Sequence, residues 1–122
     1  MKVLHTIGGF GAKSGGTSSC TYSLLSAIHG VEPSAQVDIL TPEANNTADP
    51  LMGKGEEWIK TVPYDYRTPL ALSRNMTDWL QATDYKLYHT NGLWMHINHS
   101  TCEVARSRKR PYVITPHGML YP

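Results

Sequence analysis

The sequence predicts an α/β fold, a parallel Rossmann-like sheet with flanking helices, on three observations. Short strand-like runs alternate with helical patterns along the whole chain, at Lys2–Ile7, Gln36–Thr41, Tyr85–His89 and the β-branched Tyr112–Thr115. A glycine-rich stretch, Gly8-Gly9-Phe10-Gly11-Ala12-Lys13-Ser14-Gly15-Gly16-Thr17, follows the first of these and opens a helix. The last run stops at Pro116-His117-Gly118, a break that ends a strand on a turn.

The elements follow in order. Residues 2–7 form the first strand and 17–29 the first helix, in which Cys20, Leu24, Ala27 and Ile28 recur at helical spacing and Gly30 supplies the stop. Val37-Asp38-Ile39-Leu40 is the centre of a second strand. The polar, turn-rich segment from Pro42 to Gly55 reads as a long loop. A short strand is expected over Trp58–Val62. Thr68-Pro69 caps a helix that runs to about Ala82 and buries Leu72, Met76, Trp79 and Leu80. A strand over Tyr85–His89 turns at Asn91-Gly92, a helix spans about Met95 to Arg108, and the final strand begins near Tyr112. Such alternation joins parallel strands through right-handed helical crossovers. The chain ends directly after a strand, so the sheet is expected to be unfinished and the domain truncated.

Length and composition narrow the function. At 122 residues with 40% hydrophobic content, the chain is one domain with a core of its own. A net charge of +1, from 11 basic and 10 acidic residues, argues against a nucleic-acid binder. No apolar run reaches membrane-spanning length and Met1–Ile7 is too short for a secretory signal, so a cytoplasmic location is expected. The run Arg106-Ser107-Arg108-Lys109-Arg110 is expected to be a solvated helix end, with the inner face of a membrane or a phosphorylated ligand as the other option. Cys20 and Cys102 read as reduced, buried thiols, and the sequons at Asn45, Asn75 and Asn98 as chance matches.

Candidate site residues gather where strands end. In open α/β sheets ligands bind beyond the carboxyl ends of the strands. A glycine turn entering a helix offers bare amides to an anion, here at Gly15, Gly16 and Thr17. Two stricter phosphate motifs fail: Ala12 stands where a Walker motif needs glycine before Lys13-Ser14, and Ser14 stands at the third glycine of a dinucleotide fingerprint. Asp38, read near the end of the second strand, is the one feature favouring a nicotinamide-dependent oxidoreductase. His117 is displayed on a glycine turn with Gly118 beside it. His89, Asn91 and Trp94 suit a sugar, by hydrogen bonds and ring stacking, and suit a structural role equally well. His96 and His99 stand three apart without a carboxylate or cysteine at metal spacing, and read as surface histidines. No nucleophile elbow is present.

With these residues in view, the sequence resembles family 4 glycosyltransferases, retaining enzymes of the GT-B architecture. The resemblance rests on the first strand with Gly15-Gly16-Thr17, on His89-Thr90-Asn91-Gly92-Leu93-Trp94, and above all on Thr115-Pro116-His117-Gly118-Met119-Leu120. It implies that the chain is the incomplete N-terminal, acceptor-side domain of such an enzyme, with the donor-binding C-terminal domain absent. It also implies a nucleotide-sugar donor as co-substrate, a glycan or lipid-linked acceptor, and polysaccharide biosynthesis as the usual setting. By the same resemblance, Gly15 and Gly16 approach the donor diphosphate and His117 lies beside the transferred sugar, with His89, Asn91, Trp94 and Gly118 near substrate. No metal or other cofactor is expected, because fixed amides and cations serve the diphosphate. The paired glutamates and basic residues of the family's donor domain are not in this chain, so alone it is not expected to turn over. A non-catalytic carbohydrate- or protein-binding module is the remaining alternative.

Overall fold

A computed structural model describes residues 2–8, 16–42, 56–63, 74–92 and 96–116. Five strands, β1 (Val3–Ile7), β2 (Val37–Pro42), β3 (Ile59–Val62), β4 (Leu87–Asn91) and β5 (Tyr112–Thr115), form one sheet in the order β3-β2-β1-β4-β5. Every pairing is parallel, with Val3 opposite Val37 and Leu87, Ile39 opposite Ile59, and Tyr88 opposite Tyr112. Three helices complete the described fold: α1 (Gly16–Val31), α2 (Arg74–Ala82) and α3 (His96–Ser107). This is the α/β, Rossmann-like arrangement expected, and parallel pairing places all five carboxyl ends along one edge.

Alternation along each strand divides the core in two. Leu4, Leu40, Val62, Tyr85 and Tyr88 pack with Met76 and Leu80 of α2 and with Ile97, Val104 and Ala105 of α3. On the opposite face, Ile7 and Ile39 pack with Leu25 of α1 and with Trp58, which stacks on both Tyr22 and His29. Helices thus flank the sheet on both sides, as its apolar strands require.

Five expectations about these elements change. The covered side of α1 carries Ser18, Thr21 and Leu25, whereas Cys20, Leu24 and Ala27 face solvent. Cys20 is therefore an exposed thiol and Cys102 a half-buried one; both are free, and burial raises the Cys102 pKa. Gly30 lies inside α1, which continues to Val31 and is followed by a bond from the Glu32 amide to the Ile28 carbonyl at 2.9 Å. Pro42 closes β2 instead of opening a loop, and β4 begins at Leu87, two residues later than expected, because Tyr85 is spent in the core. Leu72, the Thr68-Pro69 cap and residues 43–55 lie outside the described residues.

The basic run is used internally. Arg108 donates to the carbonyls of Leu80, Gln81 and Thr83 at the end of α2, and to the Tyr88 hydroxyl at 3.1 Å. These carbonyls have no partner within the helix, so the guanidinium caps α2 from a neighbouring element. Arg110 pairs with Asp84 at 3.0 Å and holds that carboxyl below its usual range, while Arg106 pairs with Glu103. Lys109, with φ of 55°, takes the left-handed position that ends α3: the Arg110 amide reaches the Ala105 carbonyl at 2.8 Å and the Lys109 amide the Arg106 carbonyl at 3.1 Å. This pair of bonds is a Schellman cap carried on lysine instead of glycine.

Candidate functional site

The carboxyl edge is cross-braced by polar side chains. Thr6, near the end of β1, places its hydroxyl 2.9 Å from those of both Thr90 and Thr101. Asn98, in the first turn of α3, donates to Thr90 Oγ1 at 2.7 Å and to the Asn91 carbonyl at 3.1 Å. Asn91 in turn donates to the Thr6 carbonyl at 3.2 Å. Thr6, Thr90, Asn91, Asn98 and Thr101 are all buried. A buried polar group is costly unless it is hydrogen bonded, and here each one has a partner. The result ties the ends of β1 and β4 to the start of α3. Gly92 follows with φ of 93°, a backbone conformation that favours glycine, and its amide donates to the Thr115 carbonyl at 2.8 Å.

The opposite face carries two histidines at the centre of the sheet. His5 of β1 lies opposite His89 of β4, and their rings tilt against one another with centroids 4.6 Å apart. His5 is 7% exposed and its Nδ1 is buried without a hydrogen-bond partner. Burial, reinforced by the neighbouring His89, lowers its pKa to about 4, so it is neutral at physiological pH. His89 is half-buried, and its Nε2 meets the Thr115 hydroxyl at 2.6 Å.

Residues 15–122 match the family described as Glycosyl transferase 4-like domain. The chain belongs to that family. No curated protein and no solved structure matches it. As a glycosyl transferase 4-like domain, the chain works on a sugar donor and an acceptor, and the carboxyl edge is the part of such a sheet where ligands bind.

Within this glycosyl transferase 4-like domain, the predicted site residues divide as follows. Gly16 is the first residue of α1, and the backbone of Thr17 continues that helix. His89 sits mid-strand in β4, not at its tip, and Asn91 ends the strand with its amide group committed to β1. Gly15, Trp94, His117 and Gly118 lie outside the described residues. The strands that lead to them, β1, β4 and β5, are neighbours in the sheet.

Asp38 requires a correction. It is the second residue of β2, at the amino edge, where its carboxylate accepts a 2.7 Å hydrogen bond from Tyr85. Burial and that carboxylate raise the Tyr85 pKa. A ribose-binding acid belongs at the strand's other end, so the feature that favoured a nicotinamide enzyme is a structural tie. His99 is exposed as expected, whereas His96 is half-buried and lies 3.2 Å from Ser100 Oγ. Among the described residues, no three of His, Cys, Asp and Glu come together as metal ligands. Nor is any described helix long and apolar enough to cross a membrane. Sequence reasoning missed His5 and the Thr6–Thr90–Thr101–Asn98 network. Strand register brings His5 to His89 and Thr6 to Thr90, and the packing of α3 on the sheet adds Asn98 and Thr101.

Proposed function

We propose that this glycosyl transferase 4-like domain is the acceptor-side, N-terminal half of a retaining glycosyltransferase. The donor is a nucleotide-sugar and the acceptor a glycan or lipid-linked glycan, in polysaccharide biosynthesis at the cytoplasmic side of the cell. The observation that carries this reading is the adjacency of β1, β4 and β5. In the sequence, the glycine-rich stretch, the Asn91-Gly92-Leu93-Trp94 segment and Pro116-His117-Gly118 come at or directly after the ends of these three strands.

The chemistry sets what each stretch has to do. As the glycosidic bond to the donor breaks, positive charge grows on the sugar ring and negative charge on the departing diphosphate. Amides at Gly15 and Gly16 and the start of α1 suit the diphosphate, because a helix N-terminus carries partial positive charge. His117, two residues beyond the end of β5 in the chain, suits the transferred sugar, by its imidazole or its adjacent main chain. Trp94 suits the acceptor side of the cleft, while Asn91, buried and bonded to the Thr6 carbonyl, holds the strand end that leads to it. Fixed dipoles aimed at the leaving group stabilise the transition state without reorganising, so the reaction needs no metal cofactor in this reading.

The nucleotide-binding groups belong to a second domain, so the 122 residues alone are not expected to turn over. The test is transfer by the whole reading frame that encodes this chain, with nucleotide-sugars offered as donors and nucleoside diphosphate release followed. Release that depends on acceptor and falls with Gly16→Val supports the proposal. Release from no donor, with nicotinamide dinucleotide binding instead, would overturn it.

A further inference from the structure

The end of β5 is held more firmly than the rest of that strand. Tyr112, Val113 and Ile114 are 40%, 44% and 43% exposed, so among the described residues little packs over them. Edge strands of four residues fray readily when packing does not hold them. Thr115 differs from its three predecessors. Its carbonyl accepts from the Gly92 amide at 2.8 Å, and its hydroxyl is bonded to His89 Nε2 at 2.6 Å. His89 is braced from behind by the buried ring of His5. Thr115 stands two residues before His117 in the chain.

We propose that His89 is a positioning residue that acts through the Thr115 hydroxyl to fix the carboxyl end of β5, which His117 follows two residues later in the chain. This inference rests on the proposed function for what His117 does, and it replaces the expectation that His89 contacts the sugar. The choice of side chains supports it. A parallel sheet would be more stable with an apolar pair where His5 and His89 stand, since an imidazole with an unpartnered buried nitrogen costs free energy. Locally unfavourable residues of this kind persist where a site needs them. Ile39 of β2 and Val113 of β5 flank the two rings. The titratable groups nearer α1, His29 and Tyr22, are bonded to the Val37 carbonyl and to Glu56.

Two readouts test the inference separately. The first is amide hydrogen exchange in the 122-residue chain, read at Gly92, whose N–H donates to Thr115. Thr115→Val, which keeps the β-branch and loses the hydroxyl, should raise exchange there about 2- to 12-fold, the weight of one hydrogen bond. His89→Leu should do the same, and the double variant should be no worse than either single one, because both remove one bond. Thr115→Ser and His89→Gln, which keep a bonding group in place, should restore protection. Unchanged Gly92 exchange in Thr115→Val, or additive effects in the double variant, would overturn the clamp.

The second readout is transfer by the whole reading frame. Thr115→Val should lower kcat with donor KM unchanged, and Thr115→Ser should recover it. If His89→Leu lowers turnover while Thr115→Val does not, His89 touches substrate directly and the positioning role is wrong. Exchange that behaves as expected in a protein that transfers no sugar would instead count against the proposed function, since the exchange result does not depend on activity.

Discussion

Acidification should destabilise this domain through His5. In the folded chain its pKa is lowered to about 4 by burial and by the adjacent His89, against an ordinary value of 6.5. Between those two values the unfolded chain binds a proton that the folded chain refuses. Stability therefore rises with pH across that window, is fully present above about pH 6.5, and is lost as pH falls toward 4. The slope is about 1.4 kcal/mol per pH unit while one proton is at stake. At pH 5 the loss comes to about 2 kcal/mol, a large share of the roughly 5–15 kcal/mol that holds a domain folded. Urea denaturation of the chain and of His5→Leu at pH 7.5, 6 and 5 isolates the effect, since the other histidines are common to both. The leucine variant should lose about 2 kcal/mol less than the parent between pH 7.5 and 5. Parallel pH profiles for the two proteins would refute the assignment of a neutral, buried His5.

Three further outcomes follow from other residues. Arg108→Met should cost about 1.5–3 kcal/mol in urea denaturation, because the α2 carbonyls it caps lose a charged donor. Lys109→Gly should stabilise the chain by about 0.5–1 kcal/mol, since glycine carries no left-handed penalty at the end of α3; a lower denaturation midpoint would contradict the strain argument. His117→Ala in the whole reading frame should lower turnover by about one to two decades with a smaller effect on donor affinity, measured by steady-state kinetics at saturating acceptor.

The local features of the fold were legible and the long-range ones were not. Strand-like runs such as Val3-Leu4 and Tyr112–Thr115, broken by glycine or proline, marked four of the strands, because β-propensity and turn chemistry act over a few residues. The helical face of α1 was misjudged because its covered side carries the polar Ser18 and Thr21 beside Leu25. Its apolar stripe could not reveal that. Asp38 was misplaced by a few residues along β2, enough to move it from one edge of the sheet to the other. His5 gave no signal at all. It lies 84 residues from His89, and only the parallel register of β1 on β4 brings the two rings together. The threonine and asparagine network was hidden for the same reason, with Thr6 and Thr101 separated by 95 residues. The basic run read as a helix end, as the Lys109 cap bears out, but the grip of Arg108 on a different helix is a tertiary fact.

The most direct test of the central claim is the stereochemistry of transfer by the whole reading frame. An α-linked nucleotide-sugar is supplied with acceptor, and the anomeric configuration of the new linkage is read by proton NMR before it can equilibrate. The account predicts an α-linked product, with release of nucleoside diphosphate in equal amount and both signals accumulating about 10- to 100-fold more slowly in His117→Ala. A β-linked product would contradict retention, and a His117→Ala enzyme as fast as the parent would remove His117 from the chemistry.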